Sequence, residues 1–252
     1  MHIRGEVCVG AGTLLAMASV VLLIFTHIGQ INTSTVPRGL AMVSVDVSGY
    51  GLGLESATGD QTPGLYNTTA DAPLGERLGL RQTYKWGLYS YCGYVNAREG
   101  TCSNTTIANR FRPLDAIIND TPQLFSVQTR FLLAPLNSTN GSILSLAAYY
   151  LLLIGSIFTF LAMLFGIVKA SLTFFFAAGC ALLGSICLIV SAAIWTALIR
   201  KAQGINDQQV ALGPSLGIHV DFDTGLWLLW ASAAAMFVSI LPYLVSCCTF
   251  RR

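Results

Sequence analysis

The stretch that decides the fold is ILSLAAYYLLLIGSIFTFLAMLFGIV, residues 143–168, followed after Lys169 by ASLTFFFAAGCALLGSICLIVSAAIWTALI, residues 170–199. Neither half contains an Asp, Glu, Lys or Arg, and each exceeds the roughly 20 apolar residues that cross a hydrocarbon core as a helix. Buried helices of soluble proteins are shorter and carry a polar stripe. These residues therefore predict two transmembrane helices joined by a tight turn.

Two further windows, Val7–Gln30 and Thr224–Phe250, are equally free of charge. Across the chain 54% of residues are hydrophobic and 10% are charged, whereas soluble domains have about 25% charged residues. The first window could be a signal peptide, but it is longer than a signal h-region and lacks an Ala-x-Ala-like cleavage site. We therefore predict four transmembrane helices, at residues 7–29, 144–168, 173–199 and 225–247.

The intervening segments predict the orientation. If residues 1–6, 169–172 and 248–252 are cytoplasmic, this side holds four basic residues, and the short outer loop at 200–224 holds two. The positive-inside rule favours this arrangement, and long loops do not count in it. The cytoplasmic group is Arg4, Lys169, Arg251 and Arg252, and the outer pair is Arg200 and Lys201. The large loop at 30–143 is then extracellular.

Glycosylation sequons support the same orientation. Eight Asn lie between residues 32 and 140, and six of them open an Asn-x-Ser/Thr triplet: Asn32, Asn67, Asn104, Asn119, Asn137 and Asn140. This exceeds what the Ser and Thr content of the loop gives by chance, although a chance run in a cytoplasmic loop is the alternative. Sequons in a translocated loop predict N-glycosylation and exposure to solvent.

Cysteine usage fits an oxidising compartment. Cys92 and Cys102 are the pair in the long loop, and a disulfide between them is the expected outcome. A metal site is the alternative, but no further Cys or His lies nearby. At the other end of the chain, Cys247 and Cys248 stand next to two arginines at the predicted inner membrane edge. This setting makes them candidates for S-palmitoylation.

The long loop contains several local patterns. Residues 40–47 alternate like a strand, and residues 84–95 are aromatic and strand-like. Residues 113–118 start like a helix with Pro113 in the first turn, and residues 123–133 have helical spacing. Five glycines between the two strand patterns predict flexible loop: Gly49, Gly51, Gly53, Gly59 and Gly64.

The second strand pattern ends in the sequence Trp86-Gly87-Leu88-Tyr89-Ser90-Tyr91-Cys92. The rings of Trp86 and Tyr89 suit a membrane–water interface, and Gly87 permits a close backbone approach. A strand that only holds the fold together is the alternative interpretation.

This motif, with Cys102 ten residues after Cys92, resembles the claudin-type signature. Four helices with a long first and a shorter second outer loop are also similar. Among claudin-like proteins the chain most resembles the fungal Sur-seven/PalI family of cortical patches and eisosomes. Tyr89 stands where animal claudins have Trp, and Trp86 directly precedes Gly87. The resemblance implies an all-α membrane fold, a claudin-like four-transmembrane-helix bundle with a small β-containing, disulfide-linked extracellular domain.

The sequence gives no support for catalysis. His2, His27 and His219 have no metal-spaced partner, and nucleotide-binding and hydrolase motifs are absent. His219, Asp221 and Asp223 would share one face of a strand in the second outer loop, as a cation site or as a solvated polar edge. The predicted helix centres contain no ionisable residue of the kind that carriers use. We expect a protein that is not an enzyme, without cofactor, metal or nucleic-acid partner.

The resemblance implies a plasma-membrane protein, reached through the secretory pathway, that organises cortical membrane domains in endocytosis, wall integrity or morphogenesis. Its partners would be the lipid bilayer, other membrane proteins in lateral homo- or hetero-oligomers, and cell-wall components. An auxiliary subunit of an ion channel and a mating or cell-fusion tetraspan are the alternatives. Small residues four apart would let helices approach closely: Gly12 and Ala16, Ala177 and Ala181, Ala181 and Ser185, and Ala231 and Ala235.

Overall fold

The computed structural model describes residues 2–133, 140–168, 171–209 and 215–249. Four long helices dominate it: α1 (His2–Ile28), α6 (Asn140–Ile167), α7 (Ser171–Gln203) and α8 (Thr224–Thr249). Each contains an apolar span long enough to cross a membrane, at Cys8–Ile28, Ile143–Ile167, Leu172–Gln203 and Thr224–Val245. The prediction of four transmembrane helices is confirmed. Of the turn predicted at residues 169–172, residues 169 and 170 lie outside the described residues, and residues 171 and 172 belong to α7.

The remaining elements are short and lie between these helices. They are α2 (Thr35–Arg38), β1 (Val43–Asp46), α3 (Tyr50–Thr58), β2 (Thr83–Trp86), β3 (Tyr91–Tyr94), β4 (Gly100–Cys102), α4 (Pro113–Asp120), a 3₁₀ turn (Gln123–Phe125), α5 (Ser126–Leu133) and β5 (His219–Phe222). The chain divides into two compact units. The helix unit comprises Met1–Thr26, Ala147–Ile194 and Trp227–Arg252, and the sheet unit comprises His27–Leu146 and Trp195–Leu226.

Small residues bring the backbones of the helix unit close together. The Cβ of an alanine at Gly155 would lie 2.8 Å from the Leu188 side chain, so α6 and α7 meet at this glycine. The Ser191 hydroxyl donates to the Ala148 carbonyl at 2.7 Å between the same two helices. Helices α1 and α8 are joined by the Ser19 and Ser232 hydroxyls, 2.8 Å apart. These bonds satisfy polar groups that lipid cannot.

Most of the predicted small-residue pairs are buried in contacts inside the helix unit. Ala16, Ala177, Ala181 and Ser185 are completely buried. Gly12 packs against the ring of Tyr243 in α8, where an added Cβ would lie 3.1 Å from the ring. Ala231 is the exception because its side chain is exposed. The small residues therefore explain the packing of the helix unit itself.

The sheet has five antiparallel strands in the order β4-β3-β2-β1-β5. Strand β1 pairs with β2 on one side, with Val43 opposite Trp86, and with β5 on the other, with Val43 opposite Phe222. The segment between α1 and α6 and the segment between α7 and α8 thus both contribute to one sheet. One face is apolar and buried, as shown by Val43, Val45, Tyr84, Trp86 and Val220.

One sequence expectation is wrong. Residues 50–58, which were expected to be flexible loop, form helix α3 although Gly51 and Gly53 lower its helix propensity. The helix ends at Gly59, whose φ of 77° is a backbone conformation that glycine adopts readily. Tyr50 and Leu54 are fully buried, and a Cβ at Gly53 would lie 2.4 Å from the Leu216 carbonyl oxygen. Tertiary packing against residue 216 therefore requires glycine inside the helix and stabilises it against its low propensity.

Candidate functional site: a disulfide-linked hairpin around a buried glutamine

The signature motif forms the hairpin between β2 and β3. Its turn is closed by the Gly87 N–H, which donates to the Ser90 carbonyl at 2.9 Å. Gly87 lies directly against the end of α1, because a Cβ there would be 2.2 Å from the Gly29 carbonyl oxygen. Any side chain would force the two backbones apart, so the predicted close approach at Gly87 is present in the structure.

The residue that organises this contact is Gln30, which follows α1 and is completely buried. Its φ is 57°, in the left-handed region where non-glycine residues are uncommon. The backbone N–H donates to the Pro37 carbonyl at 3.0 Å, and the backbone carbonyl accepts a hydrogen bond from the Ser90 hydroxyl. The glutamine backbone therefore connects the segment after α1 to the hairpin turn.

The side chain of Gln30 extends the same network. Its Nε2 donates to the carbonyls of Pro37 and Arg38, both at 2.9 Å, and its Oε1 accepts from the Tyr94 hydroxyl at 2.9 Å. Every polar group of this buried residue has a partner, as buried polar groups require. Burial also raises the pKa of Tyr94 to about 12, so the hydroxyl that donates to Gln30 stays protonated.

The predicted disulfide is present. Cys92 in β3 and Cys102 in β4 lie opposite each other in the sheet register, with Cα atoms 3.9 Å apart, and their sulfurs are bonded. Strand β4 has three residues, so the covalent bond fixes an edge strand that its hydrogen bonds hold weakly. The bridge therefore anchors the outer end of the sheet to the hairpin.

The aromatic residues of the motif have different environments. Trp86 is 1% exposed and stacks on Tyr91 with ring centroids 5.5 Å apart. Phe111 meets Trp86 edge-on at 5.7 Å and Trp195 at 5.8 Å. Trp86 is thus a core residue, unlike the ring at a membrane–water interface that its sequence suggested. The structure buries it because its strand position points to the apolar face of the sheet.

Tyr89 and Leu88 occupy the turn itself. Leu88 is buried, and the Tyr89 hydroxyl lies 2.9 Å from Nδ1 of His27 in the last turn of α1. His27 was one of three histidines without a metal-spaced partner, and its hydrogen bond to Tyr89 helps to hold the hairpin turn. Within the signature, Gly87 and Tyr89 therefore contact the end of α1, and the two cysteines link β3 to β4.

A buried hydrogen-bond network links β2 of the hairpin to α4 through Tyr84 and Asp120. The Tyr84 hydroxyl donates to Asp120 at 2.7 Å and accepts from the Arg81 N–H at 3.1 Å. Asp120 also accepts from the Gly75 N–H. Burial raises the pKa of Asp120, and the hydrogen bonds from Tyr84 and Gly75 oppose that shift. Burial and the nearby Asp120 charge raise the pKa of Tyr84 well above its usual range.

The histidine and aspartates of the second connecting segment lie at the sheet edge. His219 and Asp221 are exposed on β5, as the strand pattern predicted. The Asp223 carboxylate instead pairs with Lys85 at 3.1 Å and accepts the Thr224 N–H at 2.7 Å. Among the described residues no group of three His, Cys, Asp or Glu side chains is arranged to hold a metal ion. This geometry favours the solvated edge.

The predicted modification sites differ in exposure. Asn32, Asn104 and Asn119 are exposed, and Asn67 is half-buried. Asn137 lies outside the described residues, as does the side chain of Asn140 at the start of α6. Cys247 and Cys248 fall in the last turns of α8, and their side chains are also outside the described part. Glycosylation and palmitoylation stay predictions.

Gln30, Arg81 and Asp120 were not identified from the sequence. Gln30 and Asp120 have partners far away along the chain, Tyr94 for Gln30 and Tyr84 for Asp120, and no sequence pattern marks Arg81. One available signal was a charged residue, Asp120, at the polar end of an amphipathic helix. A second was Gln30, a polar residue that closes a window free of charge.

Four apolar helices, a five-stranded sheet built from both connecting segments and a disulfide within the signature hairpin define a multi-pass membrane protein of the tetraspan class. The model of the SUR7/PalI family matches residues 8–241, nearly the whole chain. The chain belongs to the SUR7/PalI family. No curated protein sequence matches it significantly.

Proposed function

We propose that this chain is a non-enzymatic tetraspan of the plasma membrane that organises cortical membrane domains, with a role in cell-wall integrity, endocytosis or morphogenesis. The observation that carries the proposal is the construction of the sheet unit. Strands from both connecting segments, a disulfide and the Gln30 network combine into one braced body. A sheet unit braced in this way can present a surface of constant shape to neighbouring proteins.

The helix unit supports the same proposal. Its described helices expose large apolar side chains, such as Phe175, Phe237 and Leu241, as lipid-facing or protein-facing surfaces require. Several of its buried polar groups are Ser and Thr hydroxyls bonded within or between helices, such as Ser19 to Ser232. In this proposal the helices anchor and assemble laterally, and the sheet unit faces the cell wall or a partner membrane.

Imaging of a fluorescently tagged copy at its own expression level tests the proposal. We expect stable cortical patches whose fluorescence recovers slowly after bleaching, in cells that are not mating. A uniform, freely diffusing distribution would contradict it. Stoichiometric co-purification with a channel would identify an auxiliary subunit instead, and restriction to fusion tips would identify a mating factor.

A further inference from the structure

The sheet unit contains an open cleft of about 970 Å³ next to the signature hairpin. The half-buried Tyr91 supplies aromatic surface to it and stacks on the buried Trp86. Thr106, Asn109 and Asn119 add hydroxyl and amide groups. The lining therefore combines an accessible aromatic ring with several hydrogen-bonding groups, a composition that suits a small polar ligand.

The cleft is positively charged. Arg110, Arg112 and Arg130 line it, and the carboxylate in the described lining is Asp115. Asp115 pairs with Arg112 at 3.8 Å, a distance and exposure at which an ion pair is weak. Arg110 and Arg130 are exposed, and neither forms an ion pair with a carboxylate of the described residues. Two guanidinium groups are thus available to an anion.

Asn109 adds an unused donor. Its Nδ2 is buried and has no hydrogen-bond partner among the described residues. A buried amide donor without a partner costs free energy, and a ligand that accepts from it would remove that cost. The arginines supply planar pairs of N–H groups that match phosphate or carboxylate oxygens in bidentate fashion.

We propose that this cleft binds an acidic oligosaccharide, a chain of sugar rings that bears phosphate or carboxylate groups. The anionic groups would pair with Arg110 and Arg130, a sugar oxygen would accept from Asn109, and the apolar face of a ring would lie on Tyr91. This inference rests on the proposed function, because it requires the sheet unit to be extracellular. It does not depend on patch formation, because binding is measured on purified protein.

The test uses the full chain in nanodiscs of phosphatidylcholine, on an Asn119→Gln background so that no glycan is attached within the cleft. The probes are a monophosphorylated mannopentaose, neutral mannopentaose and inorganic phosphate, measured by calorimetry. We expect the phosphorylated sugar to bind most tightly of the three, and its affinity to fall as salt is raised. The Arg110→Gln/Arg130→Gln double variant should lose about tenfold or more in affinity.

Arg98→Gln is the matched control, since Arg98 is an exposed arginine of the sheet unit outside the cleft lining. It should bind as the parent does, and the thermal midpoints of all variants should agree because the substituted side chains are exposed. Equal affinity for the neutral sugar or for inorganic phosphate would overturn the proposal. So would no binding, or an equal loss of affinity in Arg98→Gln.

Discussion

At the residue scale, Gln30 has two unfavourable features, a left-handed backbone conformation and the complete burial of its side-chain amide. Its left-handed backbone disfavours a side chain, and its burial removes an amide from water. The hydrogen bonds to Pro37, Arg38 and Tyr94 offset the second cost. Because the same residue accepts from Ser90, its conformation also fixes where the hairpin turn lies.

Gln30→Ala should therefore destabilise the sheet unit by about 2–4 kcal/mol, because it removes the side-chain partner of the buried Tyr94 hydroxyl and of the Arg38 carbonyl, whereas the Pro37 carbonyl keeps the backbone N–H of residue 30. Gln30→Gly loses the same bonds but relieves the positive φ, so it should be about 1 kcal/mol more stable than the alanine variant. Urea unfolding followed by tryptophan fluorescence in nanodiscs measures both. Equal stability of the two variants would contradict the strain at residue 30.

Titration of Asp120 should make the stability of the folded protein depend on pH. Its pKa is raised in the folded protein, so the unfolded state releases the proton at lower pH. The contribution of this proton to stability is fully present below the unfolded pKa and is lost as pH rises through the folded pKa. Asp120→Asn keeps the sequon at Asn119 and does not titrate.

We therefore expect the parent to be most stable relative to Asp120→Asn at acidic pH, with the difference shrinking as pH rises from the unfolded pKa through the raised folded pKa. Unfolding free energies of both proteins over that range test this, and groups common to both cancel in the difference. A difference that grows with pH would show that Asp120 is held as a stabilised carboxylate.

At the scale of elements, the short strand β4 depends on its covalent link. Its three residues pair with β3 alone, and Cys102 bonds to Cys92 across that pair. The loop that the bridge closes is ten residues long in sequence. Removing a native disulfide from a small secreted domain costs about 2–5 kcal/mol, partly by freeing the unfolded chain.

Cys92→Ser, Cys102→Ser and the double variant should all lose about 2–5 kcal/mol and be held in the secretory pathway. The three should behave alike, since a bridge that is already lost cannot be lost again. Their helices should still insert, because insertion follows their own hydrophobicity. Surface labelling of epitope-tagged copies measures delivery. A double variant clearly worse than either single one would mean that the cysteines act separately.

Elements with a strong local pattern could be predicted from the sequence, and those defined by distant partners could not. The four apolar helices, the strand at Val43–Asp46 and the helix beginning at Pro113 all have periodicity or end signals of their own. The pairing of β5 with β1 has none, because it joins residues from different connecting segments. Helix α3 was missed because packing at Gly53 outweighs propensity.

At the scale of the whole molecule, the proposed topology places both termini in the cytoplasm. Protease treatment of sealed, right-side-out vesicles should then spare an epitope at either end of the chain. The physical reason is the even number of spans together with basic residues on the inner side. Loss of the carboxyl-terminal epitope, with the amino-terminal one intact, would contradict the four-span arrangement.

The Asn67 side chain should stabilise the sheet unit independently of its sequon. The Asn67 side chain donates to the Leu78 carbonyl at 2.9 Å and accepts from the Thr69 N–H at 2.7 Å. Asn67→Gln removes both bonds and the sequon, whereas Thr69→Ala removes the sequon alone. Asn67→Gln should thus be less stable by about 1–2 kcal/mol, with the same gel shift. Equal thermal midpoints of the two variants would show that the Asn67 bonds contribute nothing.

Because β5 pairs with β1, the sheet can be completed only late in the synthesis of the chain. Strand β1 leaves the ribosome early, but the partner for its second edge, His219–Phe222, is synthesised near the end of the chain. At about 5–20 residues per second this edge waits on the order of ten to thirty seconds with unpaired N–H and C=O groups. This open edge can bind other strands until residues 219–222 are made. A nascent chain that stops before residue 219 cannot complete the five-stranded sheet.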